Sequence, residues 1–218
     1  MWSIIQAAGW PIWPLILASI AALAIVIERT IALRQAQVNP SDLSDQVGMS
    51  CTKGLPSTDA IAGVCGTSVA GDMLAHALQA LHQHPNTSAQ DWRINFEEAG
   101  RLAQDRLQRY LGALATIASA APLLGLLGTV VGMIDIFAAQ SAAGTTQSDP
   151  TQLAHGISVA LYNTAFGLMV AIPSLMAWRI LRARVDRLTL DLELQAEAFW
   201  RQHAAQLCRS VTTAARTK

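Results

Sequence analysis

The chain has 218 residues, 52% of them hydrophobic, and its 15 basic and 15 acidic side chains give a formal net charge of zero. A chain without excess positive charge has no electrostatic footprint for nucleic acid, so we expect no nucleic-acid partner. Only 14% of the residues are charged, and their uneven placement indicates that part of the chain lies in a membrane.

Residues 10–27 form the first apolar segment, and no charged side chain falls within it. The nearest basic residues, Arg29 and Arg34, follow the segment, whereas a cleaved signal peptide carries its basic residues in front. We therefore predict a transmembrane helix at 10–27, preceded by a short outer segment at 1–9.

Residues 28–110 are predicted to form a polar region of loops and helices. Gly, Ser, Thr, Pro and Asp are concentrated in residues 38–71, which is typical of loops with short helices. Ser88 opens a capping box, and apolar residues then recur at three- and four-residue steps as far as Tyr110. This pattern predicts a single helix from about Ser88 to Phe137 that includes the second span.

The thiols and imidazoles of this region do not have the spacing of a metal site. The side chains in question are those of Cys51, Cys65, His76, His82 and His84. No zinc pattern spaces its ligands in this way, and the stretch Gly66–Gly71 lacks the glycine spacing of a nucleophile elbow. We predict no metal, no cofactor and no enzymatic activity, and we expect the cysteines, Cys208 included, to stay reduced.

The longest uncharged stretch lies between Tyr110 and Trp178, where 69 residues include no Lys, Arg or Glu. It contains two apolar segments, each long enough to cross a hydrocarbon core of ~30 Å. These segments cover residues 111–139 and 156–178, and a polar connector at 140–155 joins them. The stretch predicts a membrane hairpin.

After the third span, residues 179–218 keep a helical apolar stripe that includes Leu181, Val185 and Leu188. Arginines and acids occupy the other faces, which is typical of a helix in water. The predicted fold class is therefore an all-α membrane protein with three transmembrane helices. The second and third continue as long helices into the cytoplasm, where we expect them to pack side by side.

The placement of the basic residues predicts the orientation. Seven of the fifteen Lys and Arg lie within residues 28–110, and the other eight lie within residues 179–218. Since basic segments tend to stay on the cytoplasmic side, both regions are predicted to be cytoplasmic. The N-terminus and the connector at 140–155 then lie on the outer, periplasmic side.

Small and polar residues mark the faces by which the second and third spans contact other helices. Two prolines accompany them, and each removes a backbone donor and frees a carbonyl. The residues predicted to pack helices or line a pore are Gly125, Gly128, Gly132, Ala160 and Asn163, with Pro122 and Pro173.

Two threonines, Thr129 and Thr164, are predicted to lie at one depth. Each is eight residues from the outer end of its span, or about 12 Å at 1.5 Å per residue. Two hydroxyls at one level could line a narrow, partly hydrated path. A proton relay also needs a titratable group inside the membrane, but Asp135 and His155 lie toward the outer end. The acid would have to come from a partner helix.

Two stretches of the hairpin resemble the signature sequences of the ExbB/TolQ/MotA proton-channel family. They run from Gly125 to Phe137 and from Gly156 to Pro173. Both occur in the family's order, together with three spans and a Glu28–Arg29 pair behind the first span. The resemblance covers most of the chain outside residues 38–85.

The resemblance implies an inner-membrane homo-oligomer, a pentamer in the better-known members, whose second and third spans line a central pore. The pore would hold the single spans of an ExbD/TolR-like dimer that supplies the missing aspartate. A TonB-like or TolA-like protein would complete a system that converts proton flow into work, for outer-membrane uptake or for the Tol-Pal envelope system. Carried over residue by residue, the pore threonines are Thr129 and Thr164.

The chain departs from some close members at Val159, where they carry an acid five residues before the second threonine. Val159 and Asn163 favour the ExbB branch over the TolQ branch, and three spans rather than four argue against the flagellar stator branch. Two other interpretations remain open. A passive scaffold would use these polar residues only for packing, and a small-solute transporter would need an internal repeat or a pair of broken helices, which the sequence lacks.

Overall fold

The computed structural model describes residues 10–40, 43–51, 56–83, 89–142 and 150–216. Within these ranges the chain is helical with short turns and contains no strand, which confirms the predicted all-α fold. The helices are α1 (Ile12–Ala32), α2 (Gln35–Val38), α3 (Leu43–Cys51), α4 (Thr58–Val64), α5 (Val69–Gln83), α6 (Ala89–Gln108), α7 (Leu111–Ala142) and α8 (Pro150–Arg216).

The chain divides into two compact units. The membrane unit comprises residues 1–29 and 110–181, and the extramembrane unit comprises residues 30–109 and 182–218. The helix α8 contributes to both units, since it runs without interruption from Pro150 to Arg216.

Three helices of the membrane unit, α1, α7 and α8, contain stretches long and apolar enough to cross a bilayer, which confirms the predicted number of spans. Their shared core is small. Leu15 of α1, Ala121 of α7 and Ala171 of α8 are buried together. The side chains packed against them are those of Leu124, Phe166 and Val170. The shared core therefore combines one alanine from each of α7 and α8 with larger apolar side chains from all three helices.

Much of the apolar surface of these helices points away from this core. Leu17 and Leu23 of α1, Leu126 of α7 and Met169 of α8 are each more than half exposed. Full burial of such a side chain is worth about 1.5–3 kcal/mol, so leaving many of them in water would be costly. Lipid or further protein must cover this surface, as expected of a membrane protein.

Both hairpin helices extend into the segment predicted as a connector, residues 140–155. The helix α7 continues to Ala142, and α8 begins at Pro150. Proline is well tolerated there because the N–H groups of a first helical turn have no intrahelical partner. Part of the predicted connector is therefore helical, and residues 143–149 lie outside the described ranges.

The prediction of one helix from about Ser88 to Phe137 is wrong. The helices α6 and α7 are separated at Tyr110, which has a left-handed φ of 64°. Such a conformation costs roughly 1–2 kcal/mol for a residue other than glycine. The Arg29 guanidinium lies 5.5 Å from the centre of the Tyr110 ring, at a cation–π distance. This contact is tertiary, so no local periodicity could have predicted it. Ser88 and its capping box lie outside the described residues.

In the extramembrane unit, α6 packs beside the distal part of α8 through aromatic side chains. The Phe96 ring centre lies 6.3 Å from that of Phe199 and 6.3 Å from that of Trp200. Both pairs are tilted, as favoured by the quadrupoles of aromatic rings. Two helices therefore pack side by side in this unit as predicted, but only α8 is an extension of a span, since α6 is a separate helix that ends before Tyr110.

Within residues 38–71, the described parts form short helices and turns, as predicted. The Ser57 hydroxyl caps α4 by accepting a hydrogen bond from the Ala60 N–H. Gly66 then turns the chain with a φ of 83°, and its N–H donates to Asp72, which pairs with Arg106 of α6. The loop between α4 and α5 is thereby tied to α6.

Candidate functional site

The candidate site is the contact between α7 and α8 inside the membrane unit. The backbones approach most closely where Gly125 meets Gly167. A Cβ atom on Gly167 would lie 2.7 Å from the Ala121 carbonyl oxygen and 3.1 Å from Gly125 Cα. A Cβ atom on Gly125 would lie 2.8 Å from the Asn163 carbonyl oxygen. Neither position has room for a side chain, so the close crossing depends on glycine at both.

Toward the connector, the contact continues through Gly128, which lies against the Asn163 side chain, and Gly132, which lies against Ala160. Asn163 is buried in this contact. Because Thr129 follows Gly128 and Thr164 follows Asn163 on antiparallel helices, the two threonines differ in height by less than one helical turn of ~5.4 Å.

The two threonine hydroxyls donate to different backbone carbonyls. Thr164 Oγ1 donates across the contact to the Gly125 carbonyl at 3.4 Å. Thr129 Oγ1 donates to the Leu126 carbonyl of its own helix at 2.7 Å. A hydroxyl has one proton to donate, so the remaining lone pairs can only accept. Both side chains are half-buried.

Pro122 and Pro173 lie inside helices that continue past them. Each proline removes the hydrogen bond to the carbonyl four residues earlier, which belongs to Ala118 and to Met169. Pro173 lines a groove between α1 and α8.

The middle of the described membrane unit holds no acidic side chain at the level of the threonines. Asp135 is exposed and lies ~9 Å beyond Thr129 along α7. At the opposite end of the unit, Glu28 pairs with Arg29 at 2.5 Å, and Arg29 is only 6% exposed. Charged groups thus mark the two ends of the unit and leave its centre neutral.

Sequence reasoning did not single out Gly167 or the contact between Arg29 and Tyr110. Gly167 follows Asn163 by one helical turn, so the small-residue face could have been extended to it from spacing alone. Its role becomes visible only with the register, which places it against the Ala121 carbonyl. Arg29 and Tyr110 are 81 positions apart in sequence, and no local pattern signals their contact.

Comparison with known proteins agrees with this geometry. Residues 66–194 match the MotA/TolQ/ExbB proton channel family. The biopolymer transport protein ExbB-like 3 of Synechocystis sp. is 32% identical over 178 residues, which cover 82% of this chain and 83% of that protein. ExbB-like 1 of the same organism is 33% identical, with coverage of 79% and 67%.

A shorter match joins the chain to the Tol-Pal system protein TolQ of Haemophilus influenzae. The two are 41% identical over 87 residues, which cover 40% of this chain and 37% of that protein. The chain is therefore similar both to relatives named ExbB-like and to a relative named TolQ. With the family match over more than half of the chain and three helices able to cross a bilayer, the chain belongs to the MotA/TolQ/ExbB proton channel family and is an integral membrane protein.

Proposed function

We propose that the chain is the oligomeric subunit of a proton-driven motor in the bacterial inner membrane, and that it energises TonB-dependent outer-membrane uptake together with an ExbD-like partner. The contact between α7 and α8 carries the proposal. Thr129 and Thr164 lie within a helical turn of each other in height, on a crossing that depends on glycine. The same level of the described unit has no acid of its own.

A partner must supply the acid. The hydroxyls of Thr129 and Thr164 already donate to backbone carbonyls, so their free lone pairs can accept a hydrogen bond from water or from a protonated carboxyl group. A single-span dimer of the ExbD/TolR kind, with one aspartate at this depth, would complete a proton path. A ring of this chain, a pentamer in our proposal, would surround that dimer.

The orientation we propose places the N-terminus in the periplasm and the C-terminus in the cytoplasm. The proposal rests on the fifteen basic residues, all of which fall in the two segments assigned to the cytoplasm. An ExbB-like role is favoured because the ExbB-like relatives match most of the chain, whereas the TolQ match covers 40% of it. A TolQ-like role in the Tol-Pal system is the alternative.

The choice between the ExbB-like and the TolQ-like role is tested by purifying the tagged chain in a gentle detergent. The proteins that accompany it are then identified by mass spectrometry. Recovery of a single-span protein with one membrane aspartate supports the motor. A TonB-like third component supports the uptake role, and a TolA-like component supports the alternative. An oligomer of this chain that never carries a single-span partner contradicts the motor.

The pathway is tested by replacing each threonine with valine, which keeps the shape and removes the hydroxyl. We expect Thr164→Val to lower proton flux and energised uptake about fivefold, since a net hydrogen bond is worth about 1 kcal/mol. Thr129→Val should act in the same direction. Thr116→Val is the matched control, because the Thr116 hydroxyl also donates to its own helix, at the Gly112 carbonyl.

A passive scaffold is the second candidate, and one observation favours it. Both threonine hydroxyls already have a backbone acceptor, which is also what a purely structural hydroxyl would show. The motor and the scaffold predict different results for the valine variants, provided that oligomer mass and proton flux are both measured. Flux that persists in intact Thr129→Val and Thr164→Val oligomers supports the scaffold and contradicts the motor.

A further inference from the structure

A groove of about 600 Å³ lies in the extramembrane unit between α6 and α8. Its α8 wall is a helical stripe at steps of four and three residues: Thr189, Glu193, Ala196 and Trp200. Its α6 wall includes Gly100, where a Cβ atom would meet nothing within 4 Å. We call this surface the α6/α8 groove.

The groove contains a polar group that no described residue of the same copy uses. Thr189 Oγ1 is buried and makes no hydrogen bond to the described residues. Arg101 and Glu193 line the groove, and neither takes part in an ion pair within the described part of the chain. An empty space, an unused hydroxyl and two available charges together suggest a protein partner.

A second surface lies on the same helix at the same height. Leu190 and Leu194 are 54% and 57% exposed although they flank the buried stripe of α8. They stand one helical turn apart and form an apolar ridge, which we call the leucine ridge. Arg187 and Asp191 lie beside it and are exposed, and neither has an ion pair within the described residues.

We propose that the leucine ridge of one copy docks into the α6/α8 groove of the next copy, so that the extramembrane units form a head-to-tail ring. In a ring of copies related by rotation, equivalent residues lie at one height along the ring axis, so a ridge at 190–194 of one copy meets the surface of the next copy that lies at about the height of its own residues 190–194. The groove, centred on Glu193 and Ala196, satisfies this condition.

The two surfaces are also placed for simultaneous use. At 100° per residue, the ridge lies about 110° around α8 from the groove stripe. One helix can therefore offer its ridge to one neighbour and its groove to the other, as a heterologous ring requires. The charges complement each other as well, since Arg101 and Glu193 of the groove oppose Asp191 and Arg187 beside the ridge. The inference rests on the oligomer of the proposed function and names its contact.

A double cysteine variant, Gly100→Cys with Leu194→Cys, tests the docking in the full chain in native membranes. Cys65 is exposed and is replaced by serine, as is Cys208. Cys51 can stay, because burial raises the pKa of its thiol to about 11 and keeps it protonated. Mild oxidation should give a ladder of covalent multimers that ends at the ring. The single-cysteine variants and the pair Gly63→Cys with Leu194→Cys should give no ladder.

The oligomer mass, measured on the same membranes after gentle solubilisation, separates the outcomes. An intact oligomer without a ladder overturns the docking and leaves the motor standing. Absence of any oligomer overturns both the docking and the proposed motor.

A bulky residue in the groove gives an independent test. Gly100→Phe should fill the groove and lower the temperature at which the oligomer dissociates, because the ridge no longer fits. Gly63→Phe is the matched control, since Gly63 also has nothing within 4 Å. Equal dissociation temperatures for the two variants would overturn the docking even if cysteines happened to cross-link.

Discussion

The α7/α8 contact of the membrane unit and the α6/α8 contact of the extramembrane unit use glycine in opposite ways. In the membrane unit, Gly125 and Gly167 bring two backbones into direct contact, with carbonyl oxygens 2.7–2.8 Å from where a Cβ atom would be. In the extramembrane unit, Gly100 of α6 has nothing within 4 Å of that position, whereas Gly71, which lies 2.7 Å from the Val64 carbonyl oxygen by the same measure, contacts the preceding turn rather than a facing helix. The glycines of the first contact permit close packing, and Gly100 in the second leaves space unfilled.

The difference follows from what drives helices together in each setting. Between helices in lipid there is little hydrophobic gain, so close van der Waals packing of small residues must hold them. In water, burial of large side chains supplies the driving force, and Phe96, Phe199 and Trp200 provide it between α6 and α8. Removing a large side chain between α6 and α8 should therefore damage the extramembrane unit, whereas adding one at the α7/α8 crossing should damage the membrane unit.

The largest expected effect comes from truncating an aromatic side chain of the extramembrane unit. Phe199 is buried, lies 6.3 Å from Phe96 and stacks on His203 at 4.7 Å. Phe199→Ala should lower the free energy of unfolding by about 3 kcal/mol, which corresponds to roughly 6–12 °C in Tm. Scanning calorimetry of the solubilised chain measures it. Leu161→Ala, at an exposed position of the membrane unit, should change Tm far less, and an equal loss would break the comparison.

The next effect comes from adding one methyl group to the membrane unit. Gly167→Ala would place a Cβ atom against the Ala121 carbonyl, and backbone cannot move aside cheaply. We expect a loss of about 1–3 kcal/mol from overpacking and a marked fall in proton flux, because Thr164 would be pushed from Gly125. Gly112→Ala is the control on α7, where nothing lies within 4 Å. If both alanine variants keep full stability, the close crossing does not hold the unit together.

Sequence reasoning was sufficient for the features that repeat along the chain. The three spans, the long α8 and the small-residue faces at Gly125, Gly128 and Ala160 all follow from apolar length or from helical spacing. The break at Tyr110 and the role of Gly167 did not follow, because each depends on a residue far away in sequence. Local patterns predict which face a helix uses, but they do not predict the register or the partner that meets it.

A smaller effect is expected where the membrane unit does depend on a large side chain, at Tyr110. Arg29→Gln removes both the cation–π contact with Tyr110 and the ion pair with Glu28 and leaves the strained tyrosine, so we expect a loss of about 1–2 kcal/mol, of which only part belongs to the ring contact. Tyr110→Gly should be close to neutral, since glycine relieves a left-handed strain of roughly 1–2 kcal/mol but loses the ring contact. The coupling appears in a double-mutant cycle of unfolding free energies. If the losses in unfolding free energy of the two single variants add up to the loss of the double variant, Arg29 does not act through Tyr110.

The smallest effect has the opposite sign and gives the sharpest test of the comparison. Gly100→Ala adds the same methyl group as Gly167→Ala, but at a helix position with open space around it. Alanine is favoured over glycine inside a helix by up to ~1 kcal/mol, so this variant should raise the Tm by a few degrees. A methyl group is also too small to fill a groove of about 600 Å³, so the oligomer should stay intact, in contrast to Gly100→Phe. A destabilised Gly100→Ala monomer would mean that α6 and α8 approach here as closely as α7 and α8 do, and the contrast between the two units would fail.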